Sequence, residues 1–180
     1  MEHRIDPENM ALLIVDWQER LCRAMPAIVR DQALGQATNL KWLAEQLDIP
    51  VLVSEQYPRG LGPTVLQLRQ KDAIEKLTFS AMGADELAKR LRSSHRTQVV
   101  LVGMETHVCV AQTCRDLIEH GYVVWVAADA CLSRRKLDWE YGLERMRRDG
   151  ALLTTTESIL FELIQSAEHK QFKALSKRIR

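Results

Sequence analysis

Short apolar runs alternate along the chain with longer stretches in which apolar residues recur every three or four positions. Residues 11–15 are continuously apolar and end at Asp16, which indicates a strand buried on both faces. In residues 28–47, leucines and alanines recur at helical spacing, and a second apolar run, 51–53, follows Pro50. A helix that connects two buried strands predicts a parallel β-α-β unit.

The same alternation continues to the end of the chain. It predicts a loop over residues 54–64, where proline and glycine are dense, and then four more strands near 73–76, 98–102, 123–127 and 151–154. Helices are expected near 85–91, 138–148 and 159–164. Strands that alternate with helices are typical of a three-layer α/β/α Rossmann-like fold, so we expect one domain over residues 1–180 with a mostly parallel six-stranded sheet.

The last segment, residues 168–180, is rich in lysine and arginine, including Arg180. A basic arm for nucleic acid is one interpretation. However, Phe172, Leu175 and Ile179 recur at helical spacing, which favours a terminal helix docked on the domain through its apolar face.

Composition narrows the function classes. The chain has 180 residues, 46% of them hydrophobic, and a formal net charge of +1, so it can bury a large core and has no global attraction for nucleic acid or anionic membranes. No apolar run reaches the roughly 18 residues of a membrane span, and the charged start MEHRIDPENM does not resemble a signal peptide. Four cysteines without a C-x-x-C pair predict free thiols in the cytoplasm.

Cofactor and metal motifs are also missing from the sequence. Gly60 and Gly62 form only G-x-G and are followed by Pro63, so a dinucleotide fingerprint is absent. The five histidines lack the spacing of known zinc sites. We therefore expect neither a cofactor nor a metal.

The segment 98–116, QVVLVGMETHVCVAQTCRD, carries the strongest chemical signal. It is predicted to form a buried strand, a tight crossing and a helix whose first turn contains Cys109. The backbone N–H groups and the dipole of a helix start predict a lowered pKa for that thiol. The alternative is that Cys109 is a small buried packing residue, as free cysteines often are.

Two further residues are expected at the same edge of the sheet as Cys109. Asp16 ends the first strand and Lys76 ends the third, and ligands of such folds bind at the carboxyl ends of the strands. A nucleophile, a base and a cation would then share one site. Taken singly, Asp16 could cap a turn and Lys76 could be an exposed loop lysine.

These residues lie in motifs that resemble the isochorismatase-like cysteine hydrolases nearly from end to end: LLIVDWQ, EKLTFSAM and VGMETHVCVAQTCRDLIEHGYVVWVAADA. Within that family the chain is most similar to the isochorismatase domain-containing proteins, through SEQYPRGLGPTV and RMRRDGALLTTTESILFEL. The resemblance implies a catalytic triad of Asp16, Lys76 and Cys109. It also implies a cis peptide bond between Met104 and Glu105, and an oxyanion hole formed by the backbone N–H groups of Glu105 and Cys109.

The family resemblance, together with the positions at which this chain departs from the family pattern, narrows the range of expected reactions. Nicotinamidase-type members hold a metal with histidines in the loop after the second strand, whereas this loop has none. True isochorismatases need no nucleophilic cysteine, whereas Cys109 is present. We therefore expect hydrolysis of a small amide-like or carbamoyl-like substrate through a thioester. Trp17, Tyr57 and Phe79 are candidates for the pocket lining, and the family implies a homo-oligomer, first of all a dimer.

With the strands in the order 3-2-1-4-5-6, the third strand lies two spacings from the first, about 9–10 Å, so Lys76 must lean inward to reach Asp16.

Two other functions stay open. Cys109 and Arg115 have the C-x5-R spacing of cysteine phosphatases, although the intervening residues look helical. The domain could also be an oligomeric interaction module with a vestigial pocket. His107 is expected to point away from Cys109, Cys114 and Cys131 to be packing residues, and Asp129, at the end of the fifth strand, to cap the next turn.

Overall fold

The computed structural model describes residues 4–179 as one sheet flanked by helices on both faces. Its six strands all pair in parallel, in the order β3-β2-β1-β4-β5-β6, which confirms the predicted fold class and strand order. The strands are β1 (Met10–Val15), β2 (Val51–Gln56), β3 (Ile74–Lys76), β4 (Gln98–Met104), β5 (Val123–Leu132) and β6 (Leu152–Thr154).

Eight α-helices accompany the sheet in the described part of the chain. They are α1 (Glu19–Ala24), α2 (Ala27–Gln46), α3 (Pro58–Leu61), α4 (Asp85–Ser93), α5 (Ala111–Glu119), α6 (Lys136–Asp149), α7 (Thr156–Ile164) and α8 (Phe172–Arg178). A 3-10 turn, Ala81–Gly83, precedes α4, and a π-helical turn, Thr106–Val110, leads into α5. We call this π-helical turn the Cys109 turn.

The two faces of the sheet bury separate apolar cores because side chains alternate along each strand. Leu12 and Ile14 of β1 pack with residues of α2, α7 and α8, whereas Leu13 and Val15 pack with residues of α4, α5 and α6. All six residues of β1 are buried, which explains its uninterrupted apolar sequence. A fully buried aliphatic side chain of this kind contributes about 1.5–3 kcal/mol to folding.

The fifth strand is longer than its sequence pattern predicts, and this corrects the interpretation of Asp129. The β4–β5 register shifts between Leu101 and Gly103, and β5 continues to Leu132 instead of ending near residue 127. Asp129 therefore lies within β5. Its carboxylate accepts hydrogen bonds from the backbone N (2.8 Å) and the hydroxyl (3.0 Å) of Thr156, so it fixes the start of α7 and not the turn that follows β5.

The C-terminal segment folds back onto α2. Leu175 of α8 is fully buried among core residues, and the guanidinium of Arg178 stacks 4.7 Å from the ring centroid of Trp42. These contacts occupy the apolar face that the sequence pattern defines. Arg180 lies outside the described residues. In residues 4–179, none of the helices has the length and apolar character required to cross a membrane.

Candidate active site

A buried ion pair joins the ends of the first and third strands. Lys76 Nζ lies 2.7 Å from Asp16 Oδ2, and both side chains are completely inaccessible to solvent. Lys76 reaches across β2, which lies between β1 and β3. Its long aliphatic stem thus allows the inward lean that the strand order demands.

The ammonium group of Lys76 is saturated with acceptors. In addition to Asp16, it donates to Gln56 Oε1 (2.8 Å) and to the backbone carbonyls of Phe79 (2.9 Å) and Thr78 (3.1 Å). Removing an ammonium ion from water costs several kcal/mol, and these oxygens compensate for the lost hydration. Lys76 is therefore held as a fixed positive charge beside Asp16.

Asp16 is held in one position by its backbone and by its neighbours. The residue has a left-handed backbone conformation (φ 52°), which aspartate tolerates better than most residues, and Ser54 Oγ donates a 2.7 Å hydrogen bond to Oδ1. Burial raises the pKa of the Asp16 carboxyl, while the Lys76 ammonium, the Ser54 hydroxyl and the Cys109 thiol act in the opposite direction. The result is a buried acid whose charge depends on three named partners.

Cys109 lies in the Cys109 turn, before α5 begins at Ala111. The thiol lies close enough to the Asp16 carboxyl for each group to affect the pKa of the other, so the chain brings the three sequence-predicted residues Asp16, Lys76 and Cys109 together. π-Helical turns occur frequently at functional sites.

The predicted lowering of the thiol pKa is wrong. Burial, the Asp16 carboxylate and Glu105 raise the pKa of Cys109 to about 12, and the opposing effect of Lys76 is smaller. The prediction assumed that the positive end of a helix dipole would dominate. Cys109 precedes α5, and desolvation of the thiolate in a nearly closed site outweighs the charge of Lys76. The resting group is a thiol that needs a base.

The Met104–Glu105 peptide bond is cis, at the end of β4. The side chain of Glu105 is mostly buried, and its Oε1 accepts hydrogen bonds from Arg134 Nε (2.9 Å) and from the backbone N of Arg134 (3.2 Å). The carbonyl oxygen of Glu105 accepts from Val108 N (3.0 Å) and Val110 N (3.3 Å), which ties the start of the Cys109 turn to its end.

Two glycines allow the backbone to approach closely on the Cys109 side. A Cβ atom at Gly103 would lie 2.3 Å from the carbonyl oxygen of Val15, and Gly103 has φ 150°. A Cβ atom at Gly142 of α6 would lie 3.0 Å from His107 Cα and N and 3.1 Å from the carbonyl carbon of Thr106. Glycine at these positions lets β1 and α6 pack directly against the segment that leads to Cys109.

The three candidates for the pocket lining lie in different environments. Trp17 is fully buried in the core on the α2 side of the sheet, so it is a packing residue rather than part of an accessible surface. The side chains of Tyr57 and Phe79 are about half exposed. A cavity of about 330 Å³ at the end of β3 is lined by Tyr57, Pro58, Arg59, Glu75, Lys76 and Leu77.

A larger, mainly apolar cavity of about 540 Å³ lies between α2 and the end of β5. It is lined in part by Val29, Ala33, Leu132 and Trp139, and its lining does not include Asp16, Lys76 or Cys109. Cavity size therefore does not identify the chemical site in this molecule.

Sequence reasoning missed two glutamines that organise the site. Gln18 Nε2 donates to the backbone carbonyls of Gln56 (3.0 Å) and Gly62 (2.7 Å), and its Oε1 accepts from the backbone N of Gln56 (2.7 Å). Gln56 in turn supplies the amide oxygen that binds Lys76. Gln18 lies two residues after Asp16, the predicted end of a buried strand, and this position could have indicated a role in the site. A glutamine side chain, however, is neither a nucleophile nor an acid or base.

Other candidate residues are directed away from Asp16. Arg115 lies in α5 and its guanidinium is 3.4 Å from Asp149 of α6, so it does not face a phosphate loop. His107 Nδ1 lies 2.9 Å from Ser133 Oγ. Cys114 and Cys131 are buried and all four cysteines are unbridged. Within residues 4–179, no group of three His, Cys, Asp or Glu side chains is arranged to hold a metal ion.

The comparison with known families decides the classification. A family model described as the isochorismatase domain matches residues 10–158, which is most of the chain. The chain belongs to the isochorismatase family. The match includes every residue of the site described above and ends before α8.

Curated and solved relatives agree with this family. Isochorismatase domain-containing protein 2A of Mus musculus is 40% identical over 181 residues, which covers 98% of this chain and 85% of the mouse protein. The solved MAR1 ribonuclease of Caenorhabditis elegans is 35% identical, with a TM-score of 0.86 and coverage of 98% and 92% of the two chains. The fold extends to more distant proteins, because the YcaC gene product of Escherichia coli has a TM-score of 0.88 at 24% identity, covering 99% of this chain and 90% of that one. The chain is thus a member of the isochorismatase-like hydrolases.

Proposed function

We propose that this isochorismatase-like protein is a cysteine-dependent hydrolase that cleaves a small amide-like or carbamoyl-like C–N bond through a thioester. One observation carries the proposal: a completely buried carboxylate forms an ion pair with a fixed ammonium and lies near a cysteine thiol whose pKa it raises. A nucleophile beside a base that is itself held by a third group is the arrangement that covalent catalysis requires.

In the first step, Asp16 accepts the thiol proton while Cys109 Sγ attacks the substrate carbonyl. The raised pKa of the thiol, about 12, makes such a base necessary, because little free thiolate exists near neutral pH. The carbonyl oxygen becomes an oxyanion, for which the backbone N–H groups of Glu105 and Cys109 are the proposed donors. One such donor contributes about 2.7–4 kcal/mol to transition-state stabilisation.

In the second step, the tetrahedral intermediate collapses. The C–N bond breaks, the amine leaves with the proton held by Asp16, and a thioester to Cys109 remains. Water then attacks the thioester carbonyl while Asp16 accepts its proton, and that proton passes to the departing Sγ. Lys76 transfers no proton in this scheme. Its charge favours the ionised form of Asp16 between the two transfers.

The proposed substrate is small because the site is nearly closed. Asp16 and the side chain of Lys76 have no solvent-accessible surface, and Cys109 is buried. The 330 Å³ cavity at the end of β3 is lined by Lys76 but not by Asp16 or Cys109, so burial, and not this cavity, supports a small substrate. A primary amide, a urea or a carbamate fits a nearly closed site better than a polymer does.

A panel of small amides, ureas and carbamates tests the proposal, with wild type, Cys109→Ala and the control Cys114→Ala. Cys114 is equally buried in the adjacent helix and also has a pKa raised to about 12, but its pKa is not shifted by Asp16 or Lys76. We expect hydrolysis in wild type and Cys114→Ala and none in Cys109→Ala. Equal turnover in all three proteins would refute the cysteine mechanism, and no turnover of any compound would favour the vestigial interaction module.

The name of the Caenorhabditis elegans relative adds one arm to this panel. Because that protein is called a ribonuclease, a short single-stranded RNA should be included with the same three proteins. We expect no cleavage, since Lys76 is fully committed within the protein and the formal net charge is only +1. Cleavage that disappears in Cys109→Ala would replace the small-amide substrate with RNA.

We further propose a homodimer in the cytoplasm. Large apolar side chains are exposed at several places on the described chain, among them Ile28, Val29, Leu77, Leu137 and Tyr141, and a second copy would cover some of them. Four free cysteines fit a reducing compartment. Sedimentation equilibrium at micromolar concentration should give twice the chain mass of 20.6 kDa. A monomer under these conditions would contradict the dimer.

A further inference from the structure

A second ion pair lies beside the Cys109 turn. Glu105 comes directly before this turn, and its carboxylate is paired with Arg134, which follows β5. The two side chains differ in exposure: 11% for Glu105 and 61% for Arg134. Exposed ion pairs are often energetically neutral, but here one partner is mostly buried, so losing the other leaves a charge with poor hydration.

The contact between the two residues has a defined geometry. Glu105 Oε1 accepts from both the backbone N and the Nε of Arg134, so the carboxylate is attached to the β5 end by two donors of one residue. At the same time the carbonyl of Glu105 holds Val108 and Val110. The position of Arg134 is therefore coupled to the position of the Cys109 turn through a single residue.

We propose that Arg134 is a positioning residue of the thiol site, which fixes and neutralises the Glu105 carboxylate beside Cys109. This inference rests on the proposed role of Cys109 as the reactive thiol. The charged groups that act on Cys109 come from three strand ends: Asp16 from β1, Lys76 from β3 and Glu105 from β4. Helix α6 packs against the turn through Gly142, which has no charge, and its Asp138 acts on Arg134. Within the turn, His107 Nδ1 lies 2.9 Å from Ser133 Oγ.

The charge of Glu105 gives the inference a measurable consequence. Glu105 is among the groups that raise the pKa of the Cys109 thiol. Without Arg134, this carboxylate would lose its counter-ion, so Cys109 should become harder to ionise. Replacing the carboxylate by an amide should have the opposite effect.

The test is the rate of Cys109 alkylation by iodoacetamide between pH 6 and 10, measured by peptide mass spectrometry, a readout that needs no substrate. We expect Arg134→Gln to slow alkylation several-fold and move its pH profile upward, and Arg134→Lys to restore part of the loss. The double variant Glu105→Gln with Arg134→Gln should return to the wild-type profile or below it. Arg148→Gln, which removes the exposed Arg148–Glu144 pair, is the matched control and should change nothing.

The outcomes separate this inference from the proposed function. If Arg134→Gln alkylates as wild type does, or if the double variant stays as slow as Arg134→Gln, Arg134 does not act through the charge of Glu105 and the inference fails, even where Cys109-dependent hydrolysis is observed. If the profile shifts as expected while no compound in the substrate panel is hydrolysed, the inference holds and the proposed hydrolase activity fails.

Discussion

On the β3 side of the site, Asp16 and Lys76 are held by hydrogen bonds, whereas on the β4 side the Cys109 turn depends in addition on close backbone packing. Lys76 alone makes four hydrogen bonds. The Cys109 turn also lies so close to Gly142 that a methyl group would fit only if the turn moved by a few tenths of an ångström. The first side should therefore be sensitive to loss of charge or of polar partners, and the second to added volume.

The largest effect is expected on the hydrogen-bonded side. Lys76→Met leaves the Asp16 carboxylate buried without its counter-ion, which should lower the free energy of unfolding by about 3–5 kcal/mol at neutral pH. Urea denaturation measures this loss. The loss of stability should be smaller at acidic pH, because protonation of Asp16 removes the uncompensated charge. A carboxyl whose pKa is raised in the folded protein destabilises the fold as the pH rises and the group ionises.

Two variants make that prediction specific. Asp16→Asn combined with Lys76→Met removes both charges and should recover much of the lost stability. Lys136→Met removes a lysine that pairs with Glu140 one helical turn away on the surface, and it should change stability by less than about 1 kcal/mol. If Lys76→Met lowered the free energy of unfolding by a similarly small amount, the buried pair would contribute no more to stability than a surface pair does.

An intermediate effect is expected from added volume on the packed side. Gly142→Ala should leave the fold intact but displace the Cys109 turn by a few tenths of an ångström, since the nearest atoms are backbone. Misplacement of reacting groups is costly, so we expect at least a tenfold loss in kcat or in the alkylation rate of Cys109.

The same substitution at Gly35 provides the matched control. Gly35 lies in the interior of α2 with nothing within 4 Å of the added Cβ, so Gly35→Ala should raise the free energy of unfolding by about 0.5–1 kcal/mol through helix propensity and leave activity unchanged. Equal effects of the two substitutions on Cys109 reactivity would contradict the role of α6 packing.

The smallest effect is expected from one hydroxyl group. Ser54 donates to Asp16 and lowers the pKa of that carboxyl, so Ser54→Ala should raise this pKa further. Because the proposed mechanism needs the Asp16 carboxylate, the acidic limb of the pH–rate profile should move to higher pH. Ser94→Ala, which removes a comparable hydroxyl hydrogen bond to Leu91, should leave the profile in place.

The sequence predicts the fold and the relative positions of Asp16 and Cys109 for the same physical reason. Each follows a buried strand that is apolar except for Gln98 at the start of β4, and buried parallel strands end at one edge of the sheet. The end of β5 was less predictable, because the register shift beside Gly103 lets the strand continue through the polar residue Asp129.

The electrostatics of the site could not be derived from local sequence. The pKa of Cys109 depends on how completely the site excludes water and on a carboxylate 93 positions away in the chain, and neither is visible in the segment around the thiol. Gln18 and Gln56 were missed for a similar reason. Their importance comes from the backbone groups that they contact, and these become neighbours only after β1, β2 and β3 have paired.

The central claim is that Asp16 and Cys109 act as one catalytic unit, and trapping an acyl-enzyme tests it most directly. Wild type and Asp16→Asn would be mixed with p-nitrophenyl acetate, quenched in acid and analysed by peptide mass spectrometry. We predict that wild type acquires an acetyl group on the Cys109 peptide. In Asp16→Asn the same group should form at a rate lower by about 10²-fold or more. Equal acetylation of Cys109 in the two proteins, or acetylation of Cys22, Cys114 or Cys131 at the same rate, would contradict the account.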